Sequence, residues 1–219
     1  MNKTVESTFD IDLSKEGELG KLLDVIYPTI PNFAGWTIER ISDKEQQHRG
    51  IDLIISKGEK VFYIDEKAQL DYIGRELPTF TFEISYLNKH NEEKLGWFLD
   101  RSKVTNAYYL ITNISFNNPS DIKEGLKTCK ILSVDRQKLL NFLVSIGLTG
   151  EVILEMNNKI RTGKAIEKEE EKIEANGLHF YSEGRFHYSK GKKEKPINLT
   201  LGLLFLIEKG IAKVIYEKK

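Results

Sequence analysis

Hydrophobic and polar positions alternate along residues 49–67 in two short runs, separated by a polar segment centred on Gly58. Both runs are rich in isoleucine, valine and aromatic residues, which is typical of β-strands, and the polar segment indicates a hairpin turn. A turn centred between Gly58 and Glu59 places residue 52 opposite residue 65. Apolar side chains occur on both faces of the hairpin, so we expect its strands to lie centrally in a sheet that helices cover.

The pattern elsewhere in residues 1–149 predicts an α/β core with a central mixed β-sheet flanked by helices. Leu19, Leu23 and Ile26 recur at helical spacing, and Asp135 is placed to cap a later helix. The predicted elements are helices at 14–27 and 135–146 and strands at 35–42, 79–87, 106–112 and 130–134, with a polar connection at 43–49 and an irregular segment at 88–104.

From residue 150 the pattern changes, and we expect residues 150–219 to form a C-terminal α+β appendage packed on the core within a single domain. Residues 167–174 form a charge run that predicts a solvated helix or a mobile loop. The other predicted elements of this part are a short helix at 150–162, a hairpin at 178–188, an apolar helix at 198–209 and a strand at 211–216.

Three charged residues of the first hairpin fall on one face near its open end. Asp52 lies opposite Asp65, and Lys67 projects on the same face as Asp65 because side chains alternate along a strand. Like charges directly opposite on paired strands are destabilising, and a divalent cation between the carboxylates would remove that cost. The alternative is a surface hairpin whose acids are solvated and whose lysine neutralises one of them.

Asp52 and, thirteen positions later, Asp65-Glu66-Lys67 resemble the signature of the PD-(D/E)XK nuclease superfamily, with Ile51 at the position of the proline. The resemblance spans about residues 10–135. It implies a restriction-endonuclease-like αβββαβ core and a Mg²⁺ ion, for which Mn²⁺ substitutes. The implied metal ligands are Asp52, Asp65 and the backbone carbonyl of Glu66. The resemblance also gives Lys67 a catalytic role and has Gln69, two residues on, orient substrate or water.

The run from Glu16 to Leu23 is similar to the first helix of archaeal Holliday-junction resolvases within this superfamily. There the first glutamate of an E-x-E-L pattern joins the metal site, which implies that role for Glu16. Glu18, on the other flank of the buried stripe, is the competing candidate. In the alternative interpretation both glutamates only favour the helix N-terminus. Glu83, an acid among aromatic residues, is a further candidate for the metal site.

Several basic residues are candidates for contact with the phosphates of a DNA partner, namely Arg49, Arg75, Lys190, Lys192 and Lys193. Lysines also alternate with aromatic residues along 179–195, a pattern that can bind nucleic acid by stacking and phosphate contact. The alternative is an aromatic-rich hairpin with polar edges. His179 and His187 would face each other in that hairpin, but two ligands without a third acid or cysteine do not make a typical metal site.

Composition narrows these possibilities. The 33 basic and 33 acidic residues balance, which argues against indiscriminate coating of nucleic acid and leaves room for a local basic groove. The single cysteine, Cys129, excludes an internal disulfide, and we expect it in the core. No signal-peptide pattern is visible in residues 1–10, and the longest apolar run, 199–207, is too short to span a membrane. We therefore expect a soluble cytoplasmic protein with no membrane partner.

No P-loop, G-x-G-x-x-G, G-x-S-x-G or zinc-ligand spacing is present. The expected function is therefore that of a Mg²⁺-dependent endonuclease hydrolysing DNA phosphodiester bonds, of restriction or repair type. A homodimer fits cleavage of a duplex, which usually requires two active sites. The alternatives are a non-catalytic module that binds nucleic acid or protein with the same fold, and a nuclease that acts on RNA.

Overall fold

The computed structural model describes residues 9–118, 121–164 and 171–219, and the helices and strands in this part of the chain form an α/β protein with two sheets. The helices are α1 (Phe9–Ile26), α2 (Lys44–His48), α3 (Arg136–Ser145), α4 (Gly150–Arg161) and α5 (Leu203–Glu208). The strands are β1 (Thr37–Arg40), β2 (Leu53–Lys57), β3 (Lys60–Ala68), β4 (Thr79–Leu87), β5 (Glu93–Leu95), β6 (Ala107–Asn118), β7 (Asp121–Asp135), β8 (Lys172–Glu174), β9 (Gly184–Tyr188), β10 (Ile197–Gly202) and β11 (Ala212–Lys218).

The first sheet has six strands in the order β1-β2-β3-β6-β7-β11. It is mixed, because β3 and β6 pair in parallel while the other neighbours are antiparallel. The second sheet is antiparallel and has five strands in the order β5-β4-β10-β9-β8. The prediction of an α/β protein with a mixed sheet is therefore confirmed.

The predicted hairpin register is confirmed. Leu53 pairs with Ile64, and Lys57 pairs with Lys60 across a two-residue turn. Gly58 opens this turn with a φ of 59°, a conformation that glycine adopts without steric cost. Continuing this register brings residues 52 and 65 opposite each other, just beyond the last ladder pair, where Asp52 N donates to Ile64 O over 2.8 Å.

Apolar side chains cover both faces of the first sheet. On one face, Leu19, Leu23 and Tyr27 pack from α1 and the turn after it, and Cys129 is buried in this cluster as predicted. On the other face, β6 and β7 pack in a larger cluster with the second sheet, α3, α4 and α5. The hairpin strands lie inside the sheet, but the burial of both their faces that the apolar pattern predicts is wrong. Leu53, Ile55 and Ile64 are buried on one face, whereas Val61 on the other face is 46% exposed.

The crossover from β3 to β6 differs from the αβββαβ order that the family resemblance implies. Residues 69–106 contain a single 3₁₀ turn at Leu70–Tyr72 followed by β4 and β5, and no α-helix. The predicted strand at 79–87 is confirmed, since Phe80, Phe82 and Ile84 alternate into the core. In this region the first sheet is therefore covered by a second sheet rather than by a crossover helix.

Two predictions for the C-terminal part are wrong. The expected helix at 198–209 is a strand, β10, followed by α5. The apolar–polar alternation of β10 is short and leads directly into the apolar run Leu203–Ile207, so the two elements were taken for one helix. The expected hairpin at 178–188 provides only β9, which pairs with β8 and β10. Residues 167–170 of the charge run lie outside the described part, while Lys172–Glu174 forms β8. Residues 150–219 thereby contribute strands to both sheets.

No single helix of the described ranges is long and apolar enough to cross a membrane. Together, α3 and α4 pass that test by length and composition, but they are bent by 77°. Their apolar side chains, including Leu139, Leu143, Ile153 and Ile160, are buried in the core.

Candidate functional site

A cleft of about 1090 Å³ lies where α1, the end of β3 and the polar face of the second sheet meet. Of the predicted site residues, the cleft is lined by Glu16, Asp52, Glu66, Lys67, Gln69, Glu83 and Lys192. Another cavity, of about 810 Å³, lies beside Trp36 and Phe62 and contains none of the predicted site residues. The structure therefore gathers most of the predicted site in one place.

Asp65 and Lys67 form an ion pair behind the wall of the cleft. The Asp65 side chain is 3% exposed, and its Oδ1 accepts a short hydrogen bond from Lys67 Nζ. Lys67 Nζ also lies 3.3 Å from Glu66 O, and it sits over the Trp97 ring, 5.3 Å from the centroid. The Lys67 ammonium thus contacts two of the oxygens that the family resemblance implies as metal ligands.

The Asp52 carboxylate completes this cluster. Its Oδ2 accepts from Glu66 N at 2.7 Å, and the electrostatic influence of both Asp65 and Lys67 reaches it. Burial, opposed by Lys67 and reinforced by Asp65, raises the pKa of Asp52 to about 7. A second negative charge at this place is therefore costly, as the opposed carboxylates in the sequence predict.

Lys67 remains protonated in this environment. Burial by itself would lower the pKa of Lys67, but the attraction of Asp65 and Asp52 outweighs burial and raises that pKa above its ordinary value. An ammonium whose pKa is raised is a poor general base at neutral pH. Stabilising negative charge therefore fits the Lys67 ammonium better than deprotonating water does.

The Glu66 side chain points to the opposite face of β3, where two residues donate hydrogen bonds to it. Tyr27 donates a short hydrogen bond to Glu66 Oε1, and Arg40 donates to Glu66 Oε2 at 2.5 Å. Arg40 also bonds Asp24 on α1 at 2.6 Å. This network anchors α1 to β3 and leaves the Glu66 backbone carbonyl on the side of Lys67. Sequence reasoning missed Tyr27 and Arg40, because they lie 39 and 26 positions before Glu66 in the chain.

Gly50 provides the space behind Asp65. Its φ is 76°, and a Cβ there would overlap Thr105 Oγ1 and lie 3.5 Å from Asp65 Oδ2. Thr105 Oγ1 donates to Gly50 O at 2.8 Å, which ties the loop before β2 to the loop before β6. The absence of a side chain at position 50 therefore lets this loop approach the buried carboxylate.

Glu16 and Glu18 are distinguished by their surroundings. Glu16 lines the cleft, and its charge contributes to the raised pKa of Lys67. Glu18 pairs with Lys21 at 2.7 Å, and this hydrogen bond lowers the pKa of Glu18. Glu83 also lines the cleft, and burial raises the pKa of its carboxyl group.

Gln69 follows the end of β3 and is anchored by its amide nitrogen. Gln69 Nε2 donates to Thr79 O at 2.9 Å, while Gln69 Oε1 is buried and has no hydrogen-bond partner. This free acceptor lies in the wall of the cleft two residues from Lys67. It is suited to accept a hydrogen bond from a water molecule or a substrate group.

The predicted phosphate-binding residues are spread more widely. Lys192 lines the cleft and pairs with Asp71 at 2.5 Å. The remaining four, Arg49, Arg75, Lys190 and Lys193, are not among the residues that line it. His179 and His187 do not face each other, since His187 pairs with Lys172 and Asn198 while His179 bonds Ser182 in a turn.

The donor set of the cluster is compatible with Mg²⁺. Within residues 9–118, 121–164 and 171–219, no group of three or more His, Cys, Asp or Glu is placed to hold a metal ion. Asp52, Asp65 and the Glu66 carbonyl supply oxygen donors only, and Mg²⁺ typically binds one or two carboxylates and keeps several waters. The cationic Lys67 already bridges two of these oxygens, which shows that they favour a positive charge.

Of the side chains with which the second sheet lines the cleft, sequence reasoning proposed Glu83 and missed most of the others. Polar side chains of β4, β8, β9 and β10 line it, including Thr81, Lys172, Arg185, Asn198 and Thr200. Alternation in β9 and β10 was the only sequence signal, and the erroneous helix and hairpin predictions concealed it.

The chain matches no protein-family model, and comparisons with curated proteins and with solved structures found no significant match.

Proposed function

We propose that this protein is a Mg²⁺-dependent nuclease that hydrolyses DNA phosphodiester bonds, with a site of the PD-(D/E)XK type. The observation that carries the proposal is the convergence of Asp52, Asp65 and Lys67 at the wall of a cleft of about 1090 Å³. The resemblance of these residues to the superfamily signature supports DNA as the substrate.

Asp52, Asp65 and the Glu66 carbonyl would hold the cation, with Glu16 beside them. When bound, the cation polarises the phosphate and lowers the pKa of the attacking water. Side chains of the protein supply the other catalytic interactions. Lys67 donates from its ammonium to the phosphate oxygen on which negative charge develops. Gln69 Oε1 accepts from the attacking water and orients it.

Binding of a cation by these oxygens would require Lys67 to shift from its present position. Its ammonium and a metal ion would otherwise compete for Asp65 Oδ1 and the Glu66 carbonyl. The Trp97 ring beside Lys67 offers a surface along which the ammonium can shift while its charge stays stabilised.

The test is cleavage of supercoiled plasmid DNA in Mg²⁺. Wild type is expected to nick or linearise it, with no activity in EDTA, and both Asp65→Asn and Lys67→Ala are expected to lose at least 100-fold in rate, roughly the contribution of one such group. Lys213→Ala, which removes an exposed lysine on β11, is the matched control and should cleave as wild type does.

Equal nicking by wild type and both variants would point to a contaminant and contradict the proposal. Tight DNA binding by wild type with no cleavage in Mg²⁺ or Mn²⁺ would favour the alternative of a non-catalytic binding module. A parallel RNA substrate decides between the two nucleic acids. Thermal melting of each variant verifies that it is folded.

A further inference from the structure

The second sheet lines the cleft mainly with polar side chains. Strand pairing aligns two rows of side chains across β4, β10, β9 and β8. One row is Glu83, Asn198, His187 and Lys172, and the other is Thr81, Thr200, Arg185 and Glu174. The alternate residues of the same strands, such as Phe82, Leu199 and Phe186, are buried in the core. One side of this sheet therefore packs against the core. On the other side, seven of the eight aligned polar residues line the cleft.

Two neighbouring atoms of this face are buried without a hydrogen-bond partner. Thr200 is 4% exposed and its Oγ1 is unpaired, as is Nε of Arg185, the residue directly opposite Thr200 in the ladder. Arg185 is held in place by a hydrogen bond from NH1 to Phe180 O at 3.1 Å and by its position over the Phe180 ring. An unsatisfied buried polar group is destabilising, so these atoms point to a ligand that satisfies them.

The chemistry of this wall distinguishes it from a surface that only binds phosphate. Thr200, Asn198 and Arg185 offer hydroxyl, amide and guanidinium groups, which match the mixed donors and acceptors of base edges. The Thr200 hydroxyl is recessed, so only a group that enters the cleft can reach it. Bases of an intact duplex are stacked and paired, whereas an unpaired nucleotide can insert its base between two walls.

We propose that the cleft accepts an unpaired nucleotide, whose base bonds Thr200 and Arg185 on the second sheet while its phosphate lies on the side of Lys67. This inference rests on the proposed nuclease function for the phosphate half. It specifies the substrate as single-stranded DNA, or a duplex with unpaired nucleotides, rather than a perfect duplex.

The test measures fluorescence anisotropy of a labelled DNA oligonucleotide in EDTA, offered as a single strand, as a perfect duplex and as a duplex with a central bulge. Wild type should bind the single strand and the bulged duplex more tightly than the perfect duplex. Thr200→Val should weaken binding to these two probes about three- to tenfold, the effect of one lost hydrogen bond. Arg185→Lys, which keeps the charge and removes Nε, should weaken it similarly.

Protein stability separates this role from a structural one. Thr200→Val replaces an unpaired hydroxyl with a methyl group, so its melting temperature should equal or exceed that of wild type even though binding weakens. Thr112→Val is the matched control, because Thr112 is 1% exposed in the first sheet and does not line the cleft. That variant should bind every probe as wild type does.

Unchanged binding by Thr200→Val and Arg185→Lys, as when water alone satisfies both atoms, would overturn the inference, and so would preference for the perfect duplex. Cleavage assays with the same probes in Mg²⁺ keep the two proposals apart. Binding that depends on Thr200 without any cleavage would support this inference while contradicting hydrolysis. Cleavage of perfect duplex that is indifferent to both substitutions would support hydrolysis and contradict this inference.

Discussion

Charge balance among Asp52, Asp65 and Lys67 dominates the site at the scale of single residues. Two carboxylates face one ammonium, and Asp65 holds that ammonium through a buried hydrogen bond. Asp52 therefore carries the uncompensated cost, which is visible in its raised pKa. Such a cluster of charges destabilises the fold when nothing is bound to it. Its presence is consistent with a functional site, where a bound cation or phosphate group changes the net charge of the cluster.

Asp52→Asn should stabilise the metal-free protein while abolishing cleavage. The pKa of Asp52 rises from 3.8 in the unfolded chain to about 7 in the fold, so the folded protein binds the proton more tightly. Stability therefore falls as pH rises from about 4 through 7, and the full penalty applies above pH 7. The variant lacks this penalty, and we expect a gain on the order of 2 kcal/mol at pH 8.

Urea unfolding in EDTA at pH 5 and pH 8 measures this effect. The difference between Asp52→Asn and wild type should be larger at pH 8 than at pH 5. Asp121→Asn, at an exposed position that begins β7, serves as the control and should show no such pH dependence. A variant that is equally or less stable than wild type at pH 8 would show that Asp52 is not an electrostatic burden.

Sequence reasoning performs well for residues whose relation is local. Asp52, Asp65 and Lys67 belong to one hairpin, so a turn position and the period of two are sufficient to bring them together. Sequence reasoning did not find Arg40 and Tyr27, because both bond Glu66 on another element. It did not find Thr200 either, because the other residues of the cleft lie on distant elements and no periodicity links them. The roles of the site residues in chemistry remain predictions.

At the scale of elements, the short loop before β2 determines how closely Asp65 can be enclosed. Gly50 adopts a φ of 76° and abuts Thr105, whereas Gly58 has a similar φ of 59° with nothing within 4 Å of its would-be Cβ. Substitutions at these two positions therefore distinguish the energetic cost of backbone strain, which both share, from the cost of steric overlap, which arises only at position 50.

Gly50→Ala should lower the free energy of unfolding by roughly 3 kcal/mol, and Gly58→Ala by only about 1 kcal/mol. Both substitutions force alanine into the left-handed region, but only the first displaces Thr105 beside Asp65. Urea denaturation of the two variants and wild type provides the comparison. Equal losses would mean that the loop relaxes freely around position 50 and that Thr105 does not restrain it.

Element type was predicted best where one signal prevailed. β4 and α3 were correct because alternation marks β4 and the Asp135 N-cap marks α3. β10 alternates apolar and polar residues over only a few positions before the apolar run of α5, so it was taken for part of a helix. Long strands such as β7 were underestimated, since their exposed halves carry no apolar pattern. Their pairing with neighbours determines their length.

At the scale of the whole molecule, two distant segments build the second wall of the cleft. β4 follows the hairpin directly, while β8, β9 and β10 come from residues beyond 170, and only their pairing across the sheet aligns the polar rows. No local pattern specifies such a register, which is why the sequence predicted the acidic half of the site and not its opposite wall. The homodimer expected for duplex cleavage remains a prediction.

The central claim is that the Asp52 and Asp65 carboxylates converge to hold a divalent cation. A crystal structure of the protein soaked in Mn²⁺, with anomalous diffraction data, tests it most directly. We expect an anomalous peak between the Asp52 and Asp65 oxygens and the Glu66 carbonyl, with Lys67 Nζ displaced from Asp65 Oδ1. Absence of that peak at saturating Mn²⁺, with Lys67 still bonded to Asp65, would contradict the account.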